Sequence, residues 1–176
     1  MTALLWALLD LALAAAASLV LVSTALLALA FIFGAPFVPT SRDRVAAMVR
    51  LAAPKAGELW VDLGSGDGRI LVAAAETGVR TIGYEFHPVL VLLSRFTIFR
   101  HGLRGRASVR LEDLWGADLS KADIVSLYLI PHRMEQMKAK LFAELRPGCR
   151  VVSNAYEFDG WAPQTREDSI SLYVRP

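Results

Sequence analysis

Positive charge is absent from the first 41 residues of the chain, in which Asp10 is the only charged residue. No charged residue occurs from Leu11 to Phe33, and as a helix this stretch would reach roughly 35 Å, enough to cross the core of a bilayer. A cleaved signal peptide is the alternative, because Ala28-Leu29-Ala30 resembles a cleavage site. Such peptides, however, begin with positive charge and have a shorter apolar region. The sequence therefore predicts one transmembrane helix, and whether it is retained or cleaved stays open.

Cysteine and histidine are also scarce, which argues against several kinds of site. The single Cys149 has no intrachain disulfide partner, and its apolar surroundings predict a buried residue in a reducing compartment. His87, His101 and His132 are scattered along the chain and lie apart from the cysteine. Because metal sites gather such ligands at short spacings, we expect no metal ion. No serine or cysteine nucleophile is indicated either.

All 19 lysines and arginines follow the apolar segment, together with 16 of the 17 acidic residues, so this part has a net charge of only +3. This charge is too small to indicate a nucleic-acid partner, and a mild attraction to an anionic lipid bilayer is enough to account for it. The basic residues from Arg95 to Arg110 are interpreted as a solvated face, since aromatic interleaving of the kind found in single-strand binders does not accompany them. The cations closest to the helix place the domain on the cytoplasmic side by the positive-inside bias. These are Arg42, Arg44, Arg50 and Lys55.

The chain is predicted to consist of an anchor with a proline-containing hinge, residues 1–41, and one domain, residues 42–176. The anchor helix is expected to end at Gly34, because Pro36 and Pro39 stop a helix and favour an extended link. In the domain, short apolar runs alternate with amphipathic ones, which is typical of a doubly wound, mostly parallel α/β sheet of the Rossmann-like type. The last strand is expected to be antiparallel. The predicted strands are Leu59–Leu63, Thr81–Glu85, Ala107–Leu111, Ile124–Leu129, Cys149–Ser153 and Ile170–Val174, and the predicted helices are Arg69–Thr77, Val89–Phe99 and His132–Leu145.

The most informative motif is a glycine-rich turn between the first strand and the next helix, with glycines at 64, 66 and 68. Glycine allows a tight turn and lets a ligand lie against main-chain N–H groups. Glu85 ends the next strand 21 residues after Gly64, where an acidic side chain binds both hydroxyls of a ribose. A plain tight turn and a solvent-facing acid are the alternatives. Together, the turn, the acid and their spacing favour a nucleoside ligand.

The third glycine of the pyrophosphate fingerprint is replaced by Arg69, so the spacing is G-x-G-x-G. Preceded by Asp62, this motif resembles the first motif of class I methyltransferases that use S-adenosylmethionine. Further segments resemble the membrane-anchored protein-lysine methyltransferases that act on the ATP synthase c-subunit and the adenine nucleotide translocase. Those segments are the N-terminal apolar stretch, Pro36-Phe37-Val38-Pro39, Gly64 to Ile70, Gly83-Tyr84-Glu85, Asp113-Leu114-Trp115 and Lys138 to Leu145 with Arg150-Val151-Val152.

The resemblance implies roles for individual cofactor residues. Asp62 and the turn formed by Gly64, Ser65, Gly66 and Gly68 would hold the methionine end of S-adenosylmethionine. Glu85 would bind the ribose and Asp113 the adenine amino group, although Asp113 also suits an ordinary turn. The chain departs from the family where His87-Pro88 replaces Asn-Pro, and in the loop from Tyr156 to Trp161.

Tyr128, Pro131 and His132 follow the fourth strand and are the candidates to line the acceptor site, because open α/β sheets bind ligands at the carboxyl ends of strands. His132 is equally suited to be an ordinary first-turn residue of a helix, and the aromatic residues of the loop after the fifth strand to packing. The predicted function is N-methylation of a lysine of a membrane-associated protein. Alternatives are methylation of a lipid, quinone or small molecule, a non-catalytic cofactor-binding scaffold, and a nicotinamide-dependent reductase. A DNA amino-methyltransferase is disfavoured, because Leu129-Ile130-Pro131-His132 lacks the Asn/Asp-Pro-Pro-aromatic signature.

Overall fold

The structure is a computed structural model that describes residues 2–33 and 38–176. It divides into two compact units, Met1–Pro36 and Phe37–Pro176. The first contains one helix, α1 (Thr2–Phe33), which starts earlier than predicted because alanine and leucine before Asp10 also favour a helix. Within α1, Leu4–Ala28 has a mean hydropathy of 2.3 and is long and apolar enough to span a membrane. The predicted helix end at Gly34 and the first part of the proline-containing link lie outside the described residues.

The second unit alternates strands and helices as the sequence predicts. Its elements are α2 (Arg42–Ala52), β1 (Leu59–Leu63), α3 (Arg69–Glu76), β2 (Arg80–Glu85), α4 (Pro88–Arg100), β3 (Ala107–Leu111), a 3-10 turn (Leu114–Gly116), β4 (Ile124–Leu127), α5 (Pro131–Glu144), β5 (Arg150–Asn154), β6 (Thr165–Glu167) and β7 (Ile170–Val174).

The strands form one seven-stranded sheet in the order β3-β2-β1-β4-β5-β7-β6. β1 to β5 are parallel, whereas β7 is antiparallel to both β5 and β6. This confirms the mostly parallel sheet and the antiparallel last strand. The strand order reverses between β1 and β4, and in such sheets ligands bind at that point, beyond the carboxyl ends of the strands.

Helices cover both faces of the sheet, because neighbouring strand residues point in opposite directions. Val61 and Leu63 of β1 pack in one cluster with Met137 and Leu141 of α5. Trp60 lies in the cluster of the other face, which includes Met48 of α2 and residues of α3. The arrangement is therefore doubly wound, and Met134 and Met137 of α5 are core residues.

Apart from shifts of one residue at the ends of α3, β2, α4, α5 and β5, three features of the second unit differ from the prediction. Helix α2 was not anticipated, because its four buried residues alternate with exposed charges; Ser41 caps it by accepting a hydrogen bond from the Arg44 N–H. β6 was missed because its three polar residues carry no apolar pattern. β4 ends at Leu127 rather than Leu129, since its pairing with β1 and β5 stops there and the chain turns toward Pro131.

Candidate cofactor and acceptor site

The sequence-predicted site residues come together at the carboxyl edge of the sheet. Asp62 is the penultimate residue of β1, Glu85 the last residue of β2, and Asp113 follows β3 by two residues. Tyr128 directly follows β4, and α5 begins with Pro131 and His132. Because β1 to β4 are parallel, one strand edge presents all these positions.

Asp62 has a buried carboxylate, and only one of its two oxygens has a hydrogen-bond partner among the described residues. Its Oδ1 accepts a hydrogen bond of 2.6 Å from the Ser126 hydroxyl, which itself accepts one of 2.7 Å from the Trp60 indole N–H. Its Oδ2 is buried and has no hydrogen-bond partner among the described residues. Burial, reinforced by the negative charges of Glu85 and Asp67, raises the pKa of Asp62 to about 7, against the lowering effect of the Ser126 bond. Since an unpaired buried carboxylate is unfavourable, Oδ2 is suited to receive a cationic group.

The turn after β1 is held by its own main chain. The N–H groups of Gly64 and Ser65 both donate to the Tyr84 carbonyl, and the N–H of Gly66 donates to Glu85 Oε2. The sequence predicted that these N–H groups would face a ligand, but they already donate hydrogen bonds within the protein. What the turn offers is space, because Gly64 has a φ of +81° and a Cβ there would meet no atom within 4 Å.

Gly68 and Gly83 are required by packing. A Cβ on Gly68 would lie 2.4 Å from the Ser94 hydroxyl oxygen of α4, and its φ of +82° also favours glycine. A Cβ on Gly83 would lie 2.4 Å from the Ser65 hydroxyl oxygen. Gly68 therefore lets α3 approach α4 closely, and Gly83 leaves room for the turn above β2.

Glu85 is nearly buried, and both of its oxygens already accept main-chain hydrogen bonds. Oε2 accepts from the Gly66 N–H at 2.9 Å, and Oε1 accepts from the His87 N–H at 2.8 Å. Each carboxylate oxygen has the capacity for a second hydrogen bond, so the side chain is fixed in place and still able to bind hydroxyl groups. His87 is buried beside it, and neither ring nitrogen has a hydrogen-bond partner among the described residues.

Asp113 is exposed and has the turn role that the sequence allowed, whereas its role toward adenine stays a prediction. Its Oδ1 caps the 3-10 turn by accepting a hydrogen bond of 3.0 Å from the Trp115 N–H. Its position after β3 is next to the end of β2, because Glu85 pairs with Leu111 in the sheet. Phe86, which was not predicted as a site residue, follows Glu85 and exposes 48% of its surface.

On the acceptor side, Tyr128 is half-buried and its ring centroid lies 6.5 Å from that of Tyr156. Pro131 and His132 are exposed at the start of α5. Trp161 is a packing residue, since it is buried with its ring centroid 5.2 Å from Phe158 and close to two other aromatic rings. Of the loop aromatics, Tyr156 is thus the one beside the candidate acceptor residues.

Sequence reasoning missed the residues that support this edge from behind. Ser126 and Trp60 fix Asp62 and were interpreted only as strand residues. Arg69 binds the Asp67 carboxylate, with Nε 2.9 Å from Oδ1, and donates to the Thr40 carbonyl at 2.6 Å. Thr40 is buried and also accepts a hydrogen bond from Asn154 at the end of β5. An arginine in place of the third glycine was the only signal available for this contact.

Comparison with known proteins relates the chain to a family. The family described as "ANTKMT methyltransferase domain" matches residues 62–165. The chain is 40% identical over 128 residues to the mouse lysine N-methyltransferase of the ATP synthase c-subunit, covering 73% of the chain and 51% of that protein. It is 35% identical over 131 residues to a protein-lysine N-methyltransferase of Saccharolobus islandicus, covering 81% of that protein. The chain thus spans about half the length of the mouse relative.

Solved structures share the fold. An RNA methyltransferase from Salinibacter ruber in complex with S-adenosyl-L-homocysteine has a TM-score of 0.73 and 37% identity, covering 78% of this chain and 92% of that one. A SAM-dependent methyltransferase from Thiobacillus denitrificans, also with S-adenosyl-L-homocysteine, has a TM-score of 0.54 at 17% identity, covering 66% of this chain and 49% of that one. The second likeness shows the fold alone.

Proposed function

The chain belongs to the ANTKMT methyltransferase domain family, and from that premise we propose that it is a membrane-anchored S-adenosylmethionine-dependent enzyme that N-methylates a lysine of a membrane-associated protein. The observation on which this depends most is the buried Oδ2 of Asp62, which has no hydrogen-bond partner among the described residues. It lies at the strand edge where Glu85 is fixed by two main-chain N–H groups.

The residues present fit S-adenosylmethionine. Asp62 would pair with the ammonium group of its methionine part, and the open side of the turn at Gly64, Ser65 and Gly66 would accommodate the chain of that amino acid. Glu85 would accept the ribose hydroxyls, and Asp113 the adenine amino group. The bound cofactor supplies a methyl group that its sulfonium already activates for transfer.

The protein's own contribution is alignment and control of the acceptor's charge. A lysine reacts only as the neutral amine, and removal from water lowers the pKa of an amine. Tyr128, half-buried beside Tyr156, supplies an apolar wall and a hydroxyl that accepts an amine hydrogen. Pro131 and His132 would border the entrance to the acceptor site.

A lysine acceptor is supported by the relatives' activities. The curated relatives are lysine N-methyltransferases of the ATP synthase c-subunit and, in the mouse at 39% identity, of the adenine nucleotide translocase. Membrane anchoring is supported by the span Leu4–Ala28. The basic residues of α2 favour a cytoplasmic catalytic domain by the positive-inside bias.

The test is methylation by the full chain in vesicles or native membranes, with a radiolabelled methyl group on S-adenosylmethionine. We expect label on a protein band, with methyl-lysine found by mass spectrometry, and at least about a hundredfold loss in Asp62→Asn, which removes the charge that pairs with the cofactor. Asp43→Asn, an exposed change in α2, is the matched control and keeps full activity. Label found only in the organic extract would assign a lipid or quinone acceptor instead, and cofactor binding without turnover would assign a scaffold.

RNA is the second candidate acceptor, because the Salinibacter relative is described as an RNA methyltransferase and the likeness covers nearly the whole of that protein's length. The same experiment separates the two acceptors. Label on protein resists ribonuclease and is removed by protease, whereas label on RNA behaves in the opposite way. Ribonuclease-sensitive label would overturn the lysine proposal and leave the cofactor assignment intact.

A further inference from the structure

Helix α4 is attached to the domain by a narrow face. Its buried residues are Val91, Ser94 and Ile98, at the spacing of one helical stripe. Val91 and Ile98 pack in a cluster with apolar residues of α3 and β3, and Ser94 lies against Gly68. Pro88, Leu90 and Thr97 are half-buried, and the remaining residues of the helix are exposed.

The outward side of α4 is apolar and contiguous. Five large side chains at helical spacing expose between 44% and 63% of their surface. We call this set the α4 surface; it consists of Val89, Leu92, Leu93, Phe96 and Phe99. Single exposed apolar residues are ordinary, whereas a contiguous patch on one helix marks an interaction site.

Two arginines, Arg100 and Arg104, lie beside phenylalanines of the α4 surface, in a segment without acidic residues. From Phe86 to Leu111 the chain contains five arginines and no aspartate or glutamate. None of the five forms an ion pair with an acidic side chain of the described residues. The guanidinium of Arg104 lies 4.1 Å from the centroid of the Phe99 ring, and that of Arg100 lies 5.9 Å from the centroid of Phe96. Charged groups thus lie directly at the border of the apolar residues.

We propose that the α4 surface inserts into the headgroup region of an anionic bilayer, with the bordering arginines on the lipid phosphates. Bulky apolar residues flanked by cations are the combination by which interfacial helices bind such membranes. Arginine binds phosphate oxygens with two parallel hydrogen bonds, which favours lipid phosphate over a neutral surface. The absence of acids from this segment fits a polyanionic bilayer better than a protein partner of mixed charge.

The proposed anchoring by α1 is a second argument that the α4 surface meets a bilayer, and this argument alone rests on the proposed function. The chain between Phe33 and Arg42 is short, about 30 Å even when fully extended, so an inserted α1 keeps the domain close to a bilayer. The charge and exposure of α4 do not depend on α1. Because α4 begins three residues after Glu85, its insertion would bring the cofactor edge of the sheet to headgroup level, where lysines next to membrane spans lie.

Depth measurement by spin labelling tests the proposal on the full chain. A nitroxide is attached at Leu92→Cys in a Cys149→Ala background, and the protein is placed in vesicles of phosphatidylcholine mixed with phosphatidylglycerol. The matched control is Ala143→Cys, an exposed position on α5. We expect the label at position 92 to collide mainly with oxygen and to be shielded from a water-soluble nickel complex, and the label at position 143 to show the reverse.

Reversing the charge gives an independent readout. The double variant Arg100→Glu with Arg104→Glu is expected to reduce insertion of the label at position 92 by roughly fivefold for each arginine, from the contribution of one basic residue near an anionic surface. Binding of S-adenosylhomocysteine should stay within about twofold of the parent, because neither arginine belongs to the cofactor site, and this also verifies folding.

Two results overturn the proposal. One is a label at position 92 that is as accessible to the nickel complex in vesicles as the label at position 143. The other is shielding from both reagents in detergent as well as in vesicles, which indicates a protein contact such as a second copy of the chain. Neither result depends on methyl transfer, so failure of the proposed function and failure of this inference are distinguishable.

Discussion

At the scale of single residues, the Asp62 carboxylate is the most unusual group of the molecule. Burial keeps its pKa near 7, so the free protein holds a proton there in mildly acidic solution. A cationic ligand group requires the ionised form. Stability and ligand binding therefore depend on pH in opposite ways. The contribution of Asp62 to the stability of the free protein falls as pH rises from about 4 to about 7, since the unfolded state loses this proton first, whereas ligand binding improves.

Cofactor affinity is therefore expected to depend on pH through Asp62. Below about pH 7 the dissociation constant of S-adenosylhomocysteine should rise by about tenfold per pH unit, because binding must first remove the proton. Calorimetry between about pH 5.5 and 8, in buffers of different ionisation enthalpy, measures both the affinity and the released proton. Asp62→Asn should bind weakly with no such dependence. A flat profile for the parent protein would contradict the assignment of Asp62 to the ammonium group.

The Ser126 hydroxyl is expected to tune this carboxylate. Ser126→Ala removes a buried hydrogen bond to Asp62 and leaves the Trp60 indole N–H without its acceptor, so stability should fall by about 1–3 kcal/mol. Because that bond lowers the pKa of Asp62, its loss should move the pH midpoint of cofactor binding upward. Ser108→Ala, on an exposed residue of β3, is the control and should change neither quantity. An unmoved midpoint would show that Ser126 is only structural.

At the scale of elements, the glycine-rich turn has two different functions along its length. Its first glycine leaves open space, whereas its last one lets α3 pack against Ser94 of α4. The same α4 continues into the arginine-bordered surface, so one helix contacts the cofactor turn on its inner side and is exposed on its outer side.

Packing at Gly68 can be separated from backbone strain by a paired substitution. Gly68 and Gly148 have nearly the same φ, +82° and +84°, but only at Gly68 would an added Cβ have a neighbour within 4 Å. Gly148→Ala should cost about 1–2 kcal/mol from strain alone. Gly68→Ala should cost about 1–3 kcal/mol more, because the methyl group collides with Ser94. Urea unfolding measures both, and equal losses would rule out close helix packing as the reason for Gly68.

At the scale of the whole molecule, the two compact units differ in where their apolar residues lie. The Leu4–Ala28 part of α1 is apolar except for Asp10 and three hydroxyl residues, whereas the second unit has its apolar residues in clusters on the two faces of a sheet. A helix with apolar residues all round suits a nonpolar environment, and this supports the proposed anchoring in a bilayer.

Membrane integration of α1 is expected to be lost when charges are placed at its centre. Ala16→Lys with Leu19→Lys should release most of the protein from membranes on alkaline carbonate extraction, since each lysine near mid-span costs about 2.5–3.5 kcal/mol. Val38→Lys with Ala46→Lys, both exposed and outside α1, adds the same charge and should leave the protein in the membrane pellet. Release of the parent protein by carbonate would contradict anchoring.

The sequence by itself determined the features that depend on local pattern. Continuous apolarity predicts α1, and the alternation of apolar runs with helical periodicity gives the bounds of β1, β3 and β7 as observed. Glycine spacing with Asp62 and Glu85 indicated the edge at which we propose that the cofactor binds, because strand ends in a parallel sheet share one side. The charged helix α2 and the three-residue strand β6 were not predicted, since tertiary contacts rather than their own residue patterns stabilise them.

Only the tertiary structure decided which polar groups have hydrogen-bond partners and which side chains are exposed. Burial by neighbouring strands raises the pKa of Asp62, and Ser126 reaches it from β4, 64 positions along the chain. The basic run from Arg95 to Arg110, interpreted from sequence as a solvated face, borders a contiguous apolar patch once α4 packs by one narrow side. Both facts depend on distances between segments far apart in the chain, which local pattern does not encode.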